Sequence, residues 1–160
     1  MADVLKRINE FLSEKPTLRD GEHIVAAAKA MPLGQIKKNA KRQGPLLVGG
    51  VVGALIMHSQ DKKVTQDNLS SHMKSGVYLL ATNQRLILIG AGGLRVLPQE
   101  ILASVERERL THLQKGTTRV SLVKMMTITC VLDDGSEMSF EFPKVDTQDG
   151  ERLFAALAKS

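Results

Sequence analysis

Residues 76–108, GVYLLATNQRLILIGAGGLRVLPQEILASVERE, contain apolar runs separated by turn signals, which is the pattern of an antiparallel β-meander. Two of the runs, residues 77–81 and 86–89, are rich in side chains that favour strands. The polar segment between them, residues 82–85, is short enough to be a hairpin turn. This stretch therefore predicts an architecture, but it does not indicate a chemical reaction.

The second half of the same stretch predicts two more strands. Residues 94–97 form a short run that Pro98 should end, because proline has no amide hydrogen to donate to a neighbouring strand. Over residues 101–106 two sets of side chains alternate, which is typical of a half-buried strand. The first set is Ile101, Ala103 and Val105, and the second, more polar set is Leu102, Ser104 and Glu106. A loop is then expected around residues 115–117.

Residues 120–132 and 137–142 are predicted to pair across a turn that contains Asp134 and Gly135. Asp-Gly is a preferred central pair of a two-residue type I′ turn. The turn sets the register, and successive side chains of a strand point to opposite faces. The inward side chains should be Ile128, Cys130, Leu132, Met138, Phe140 and Phe142, and the outward ones Glu137, Ser139 and Glu141.

Helices are predicted at both ends of the sequence. Residues 3–14 have apolar side chains at the helical period, and Pro16 follows as a stop. Residues 21–31 fit either a strand or an alanine-rich helix, and we favour the strand. A closing helix is expected at about residues 148–159, and its apolar face consists of Leu153, Phe154 and Leu157.

The predicted order is one strand, an insertion at residues 33–75, about six more antiparallel strands and a helix. A chain of 160 residues fits one domain, residues 1–160. A bent sheet of this size leaves an open end, and one amphipathic helix is the simplest lid for it. We therefore expect a mainly β fold with α-helices.

This order, together with the segments GEHIVAAA, GVYLLATNQRLILIG, VLPQEILASVERE and DDGSEMSFEF, resembles a bacterial pleckstrin-homology-like (PH-like, GRAM-related) domain. The resemblance covers residues 17–32 and 76–159. It implies a PH-like barrel of about seven antiparallel strands with a C-terminal helix as its cap. The N-terminal amphipathic helix and a helical or irregular insertion between the first two strands would be additions to that barrel. A PH-like domain is expected to be a non-catalytic interaction module without a cofactor.

Two departures from the eukaryotic members of this family concern the ligand. Those that bind inositol phospholipids usually carry basic residues at the end of the first strand and on the second, whereas residues 77–82 contain none. The family also usually has a tryptophan in the last helix, and Phe154 would take that place here, since the chain has no tryptophan. Specific phosphoinositide recognition is therefore not expected.

Composition indicates the compartment and argues against an enzyme. Cys130 is the only cysteine, and the N-terminal segment has no uninterrupted apolar core of a signal peptide, so we expect a cytoplasmic protein. None of the four histidines, His23, His58, His72 and His112, has a second histidine or a cysteine within three to five residues. We expect no metal site, no cofactor and no catalytic residue.

The insertion is where the sequence places a binding surface. A basic patch, Lys37, Lys38, Lys41 and Arg42, precedes an apolar and glycine-rich run that includes Leu46, Leu47, Gly49, Gly53, Leu55 and Ile56. The run, residues 44–57, falls short of the roughly 20 residues that span a bilayer. Self-association through this run, in a homo-oligomer or with a protein partner, is the favoured interpretation because Gly49 and Gly53 have small-xxx-small spacing.

Peripheral contact with an anionic membrane is the first alternative, because a basic patch beside an apolar one suits such a surface. Nucleic-acid binding is the third, since the formal net charge is +5. It is the least favoured, because the chain has only four phenylalanines and one tyrosine for stacking on bases.

Overall fold

The computed structural model describes residues 2–32, 76–92, 96–120 and 122–158. The insertion predicted at residues 33–75 therefore lies outside the described residues. Within them the chain forms α1 (Ala2–Glu14), β1 (Ile24–Pro32), β2 (Val77–Thr82), β3 (Arg85–Gly92), β4 (Leu97–Glu106), β5 (Leu110–Val120), β6 (Val123–Leu132), β7 (Glu137–Phe142) and α2 (Thr147–Leu157). Short 3-10 turns at Arg107–Arg109 and Lys144–Asp146 connect neighbouring elements.

The seven strands form one antiparallel sheet in the order β4-β3-β2-β1-β7-β6-β5. Strand β1 joins the two halves, because most of its length pairs with β2 while Met31 and Pro32 pair with β7. The expected seven antiparallel strands, the strand at residues 21–31 and the two terminal helices are confirmed.

The main core lies between the two halves of the sheet and α2. Phe140 and Phe142 of β7 are almost fully buried there, as are Leu153 and Leu157 of α2. Strand β1 contributes only the small side chains Ala26, Ala28 and Ala30, so α2 can pack closely against it. The predicted lid is confirmed, although Phe154 is only partly buried at its edge.

Helix α1 covers the outer face of the β1–β4 half. Its Ile8 and Phe11 pack against a second apolar cluster that includes Tyr78, Leu80 and Ile87. Both faces of β2 are therefore buried, and every residue of Val77–Thr82 is inaccessible to solvent. Burial on both faces explains why β2 and β3 are continuous apolar runs rather than alternating ones.

The prediction that Pro98 ends a strand was wrong. Pro98 is the second residue of β4 and lies opposite Ala91, at a register shift between Gly90 and Ala91. Strand β4 is at the edge of the sheet, where a residue without an amide hydrogen breaks no ladder. Residues 94 and 95 of the predicted short strand lie outside the described residues, and Leu97 belongs to β4.

The prediction of a loop around residues 115–117 was also wrong, because these residues lie inside β5. Strand β5 pairs continuously with β6 from His112 to Val120 and forms the other edge of the sheet. The predicted strand at residues 120–132 thus begins with the end of β5 and includes the turn before β6. Strand β5 itself was not predicted.

The turn between β6 and β7 has three residues and is not type I′. The Gly135 amide donates to the Leu132 carbonyl (3.0 Å), and the Leu132 amide donates to the Ser136 carbonyl (2.8 Å). Only Gly135 has a positive φ (78°) in this turn, as in a type I turn followed by a glycine bulge. The predicted inward side chains are buried as expected.

Glu141 was predicted to point outward, but it is buried, with 1% of its surface exposed. Strand β7 lies between two other strands, and Glu141 is paired with Met31 of β1 and Thr127 of β6. The neighbouring strands on both sides of β7 contribute to this burial, and the alternation pattern within one strand does not report them.

Gly150 of α2 gives a first testable prediction. A Cβ atom there would lie 2.8 Å from Cδ1 of the buried Phe142. We expect Gly150→Ala to lower the free energy of unfolding by about 1 kcal/mol, because overpacking outweighs the helix propensity that alanine gains. Urea melts measure this, with the exposed Gln148→Ala as the control. A more stable Gly150→Ala protein would show that α2 packs less closely.

Candidate binding surface at the upper end of the barrel

Several chain segments meet at one end of the barrel, here called the upper end. Strand β7 ends there at Phe142. The last ladder pair between β6 and β7 is Met126 with Phe142, so the turn that joins β5 to β6 extends past this level. The 3-10 turn at Lys144–Asp146 leads from the same place into α2.

The β5–β6 hairpin projects beyond the sheet. Residues 118–120 pair with residues 123–125, and no other strand of the described chain pairs with either segment. We call residues 118–120 and 122–125 the hairpin tip. Leu122, the described residue of its turn, is fully exposed (100%), and Val123 is about half exposed.

A second exposed apolar side chain lies in the 3-10 turn before α2. Val145 is 89% exposed. Exposed Lys144 precedes it, and Asp146 follows it at an intermediate degree of burial. Burial raises the pKa of Asp146, the Asp149 carboxylate adds to this increase, and Lys29 opposes it. Exposed valine and leucine side chains therefore stand at the same end of the barrel, each beside a lysine.

A cleft of about 550 Å³ separates the hairpin tip from the start of α2. Leu122 and Val123 form one lip, and Met125 and Met126, both buried, contribute apolar surface. Thr147 of α2 lies on the opposite side. The cleft has the size of a small-molecule site, and apolar side chains form a large part of its wall.

The charged residues of the cleft are Lys115, Lys124, Lys144 and Glu151, which gives a formal charge of +2 (three lysines minus one carboxylate). Nζ of Lys115 lies 3.0 and 3.2 Å from the two carboxylate oxygens of Glu151 and 5.7 Å from the centre of the Phe154 ring. Lys124 and Lys144 make no salt bridge with any described residue. The positive charge that can attract an anion is therefore carried by these two lysines.

The opposite end of the barrel holds a buried ion pair. Nε of Arg85 donates to Oε1 of Glu22 and Nη2 donates to Oε2, both at 2.9 Å. Oγ1 of Thr82 donates to Oε1 at 2.6 Å, and the Arg19 amide donates to Oε2 at 2.8 Å. The Glu22 side chain is inaccessible to solvent.

Burial alone would raise the pKa of Glu22, but the bonds from Arg85, Thr82 and Arg19 outweigh it and lower the pKa to about 2. Arg85 also donates to Oγ of Ser104 (3.0 Å) and to the Thr17 carbonyl (2.7 Å). This network joins the segment between α1 and β1 to the β2–β3 turn. Its donors and acceptors are used within the protein, so we assign it a structural role.

The described residues contain no other candidate for chemistry. They include no group of three or more His, Cys, Asp or Glu that could hold a metal ion. Cys130 is buried, and burial raises the pKa of its thiol to about 12, which disfavours the reactive thiolate. His23 and His112 are both exposed. No helix in the described part of the chain is long and apolar enough to cross a membrane.

All of the site residues predicted from the sequence lie in the insertion, outside the described residues. They are Lys37, Lys38, Lys41, Arg42, Leu46, Leu47, Gly49, Gly53, Leu55 and Ile56. The binding surface described above was not predicted. Its signal was present, because Leu122 and Val123 interrupt a polar stretch, but interpreting residues 120–132 as one strand hid the turn that exposes them.

The fold is also that of a known structure. The crystal structure of a pleckstrin homology domain from Shewanella amazonensis SB2B aligns with 94% of this chain and 97% of its own, at a TM-score of 0.51 and 14% sequence identity. A DUF1696 family protein with a pleckstrin-homology domain from Shewanella loihica PV-4 aligns with 52% of this chain and 68% of its own (TM-score 0.39, 20% identity).

No protein-family model and no curated protein matches the sequence. The first structural match confirms a bacterial PH-like fold for this chain. At this level of identity the match establishes the fold alone, and the GRAM relation stays a prediction.

Proposed function

We propose that this chain is a non-catalytic docking module that attaches to anionic membrane surfaces through the upper end of its barrel. The observation that carries the proposal is the fully exposed Leu122 at the turn of the projecting hairpin, with half-exposed Val123 beside it. Transfer of such an exposed leucine side chain from water to an apolar environment is favourable. A projecting turn can enter a lipid interface without opening the core.

Charge supports the same orientation. Arg119 and Lys124, both exposed, pair across the hairpin tip, and exposed Lys144 stands beside Val145. Each Lys or Arg close to an anionic leaflet contributes about 1 kcal/mol to binding.

The other predicted functions have less support in the described residues. Self-association through the apolar run of the insertion stays a prediction from sequence. Nucleic-acid binding loses support because the chain's aromatic side chains Phe11, Tyr78, Phe140 and Phe142 are buried and Phe154 packs at the edge of the core under Lys115. These positions leave no aromatic surface on which bases could stack.

Vesicle co-sedimentation tests the proposal. Wild type should bind vesicles that contain about 30 per cent phosphatidylglycerol more strongly than pure phosphatidylcholine vesicles, and added salt should weaken the binding. Leu122→Ser should reduce binding about ten-fold or more, because it removes one large apolar side chain from the contact.

The matched control is Val25→Ser, since Val25 is 47% exposed but lies at the start of β1, at the lower end of the barrel. It should bind vesicles like wild type. Equal binding to anionic and neutral vesicles, or no binding to either, would contradict the proposal.

A further inference from the structure

We infer that the outer face of β2 and β3, which α1 covers, is a groove for an amphipathic helix of a partner protein, and that α1 is its exchangeable occupant. This face is called the helix groove, and it consists of Tyr78, Leu80, Ile87, Ile89 and Ala91. All five side chains are buried. The groove lies on the β1–β4 half of the sheet, so the inference is independent of membrane docking through the hairpin tip.

The main core does not need α1. Among the described residues, those of the main core come from the strands and α2, and none comes from α1. Leu79 and Leu88, a ladder pair, face the main core, whereas the next pair, Leu80 and Ile87, faces α1. Without α1 the sheet would keep its inner packing and expose one continuous apolar strip. Contiguous apolar patches of this kind mark sites of interaction with other proteins.

Helix α1 contacts the groove in the manner of a docked peptide helix. Its side chains Val4, Ile8 and Phe11 have the spacing i, i+4 and i+7, by which an amphipathic helix fills a groove. Ile8 is fully buried and Phe11 is nearly so, whereas Lys6 and Asn9 are exposed. A helix of 13 residues is only marginally stable by itself in water, so α1 depends on the groove for its structure.

The connection between α1 and the barrel allows exchange. The chain is anchored again at Thr17, because Nη2 of Arg85 donates to the Thr17 carbonyl at 2.7 Å. Lys15 and Pro16, between the helix and this anchor, are exposed, and proline cannot continue the helix. Rotation within this two-residue hinge would release α1 and leave the ion pair of Arg85 with Glu22 in place.

Two polar contacts indicate the chemistry of a helix that replaces α1. Nη1 of Arg7 lies 3.5 Å from Oη of Tyr78, and Nζ of Lys15 donates to the Gln99 carbonyl at 3.0 Å. Oη of Tyr78 itself donates to the Val96 carbonyl (2.6 Å), so towards α1 it is an acceptor. The rim of the groove therefore offers acceptors. The partner helix should carry one basic residue beside its apolar stripe and another at its C-terminal end.

A synthetic peptide of residues 2–15 is the probe, because α1 already occupies the groove. The tethered helix competes at an effective concentration of about millimolar, so the peptide should bind wild type weakly. The full-length Ile8→Ser/Phe11→Ser double variant weakens its own α1, and it should bind the peptide at least about ten-fold more tightly in fluorescence anisotropy. The matched control is Lys6→Ser/Asn9→Ser on the exposed side of α1, which should bind the peptide as weakly as wild type.

A second measurement uses wild type and does not depend on the folding of a variant. With isotope-labelled protein and excess unlabelled peptide, the NMR amide signals of α1 should move to unstructured positions, while those of Val77–Thr82 keep strand shifts. The same peptide with Ile8→Ser and Phe11→Ser should have no effect. A peptide with Arg7→Gln and Lys15→Gln should bind the double variant at least about three-fold more weakly, since it lacks both basic contacts.

A folded double variant that binds the peptide no better than wild type overturns the inference, and so do α1 signals that excess peptide leaves unchanged. If circular dichroism shows that the double variant is unfolded, the NMR titration decides. Equal binding of the glutamine-substituted peptide overturns the requirement for a basic helix. Contacts between α1 of one wild-type copy and Tyr78 of another, in a mixture of labelled and unlabelled protein, would identify a second copy as the occupant and overturn the assignment to a different protein.

Discussion

Glu22→Ala is expected to lower the free energy of unfolding by about 3 to 5 kcal/mol, because it leaves the buried guanidinium of Arg85 without its carboxylate partner. Such a loss is a large part of the stability of a domain of this size. Urea melts of the purified protein measure it. The control is Glu14→Ala at the exposed end of α1, which should change stability by less than about 0.5 kcal/mol. A loss below about 1 kcal/mol for Glu22→Ala would contradict the structural role of the ion pair.

The same network predicts how stability depends on pH. The pKa of Glu22 falls from an ordinary value of 4.5 to about 2 in the folded protein. Above pH 4.5 the carboxylate is ionised in both states, and its stabilising contribution is complete. As the pH falls from 4.5 towards 2, the unfolded chain takes up the proton first, so this contribution is lost over that interval. The difference in stability between wild type and Glu22→Ala should therefore shrink across it.

Leu153→Ala is expected to cost about 2 to 5 kcal/mol, because Leu153 is 1% exposed and its truncation leaves a cavity under α2. Phe154→Ala should cost less, although it removes a larger side chain, since Phe154 lies at the edge of the core. Ala158→Ser, at the exposed C-terminal end of the helix, should cost least. Thermal or urea melts of the three variants give the order. A larger loss for Phe154→Ala than for Leu153→Ala would show that α2 is rotated about its axis.

Sequence patterns predicted the elements that have a continuous apolar run or a clear hydrophobic period within their own sequence. The run LILI of β3 and the alternation MSFEF of β7 specify strands locally, and the spacing of Ile8 and Phe11 specifies α1. What α1 packs against could not be predicted, because an apolar stripe shows that a helix needs a partner but does not identify it. The apolar outer face of β2 and β3 was the missing information, and it is recognisable only once their pairing is known.

Strand β5 was missed for a different reason. Most of its side chains are exposed or partly exposed, and its sequence, LTHLQKGTTRV, contains polar residues on both faces. An edge strand next to solvent has no need for apolar alternation, so periodicity gives no signal. The error affected the candidate site directly, since the turn between β5 and β6 carries Leu122.

The buried ion pair was not predictable because its partners are distant in sequence. Glu22 and Arg85 are separated by 63 residues, and each also looks like an ordinary surface residue next to a turn. The two lysines of the cleft were not predictable for the same reason, because they are also distant from each other in sequence. Lys124 and Lys144 are unremarkable in sequence, and only the return of the chain from β7 into α2 brings them to the same cleft.

The position of β1 in the centre of the sheet has a consequence for biosynthesis. Pro32 of β1 pairs with Phe140 of β7, so this contact joins residues that are 108 positions apart (140 minus 32). Contacts between such distant residues slow folding, and a ribosome must deliver nearly the whole chain before they can form. Until then β2, β3 and β4 can form a meander, but the two halves of the sheet remain unjoined. We therefore expect nascent chains that stop before β7 to be sensitive to proteases, and native structure to appear only when translation is almost complete.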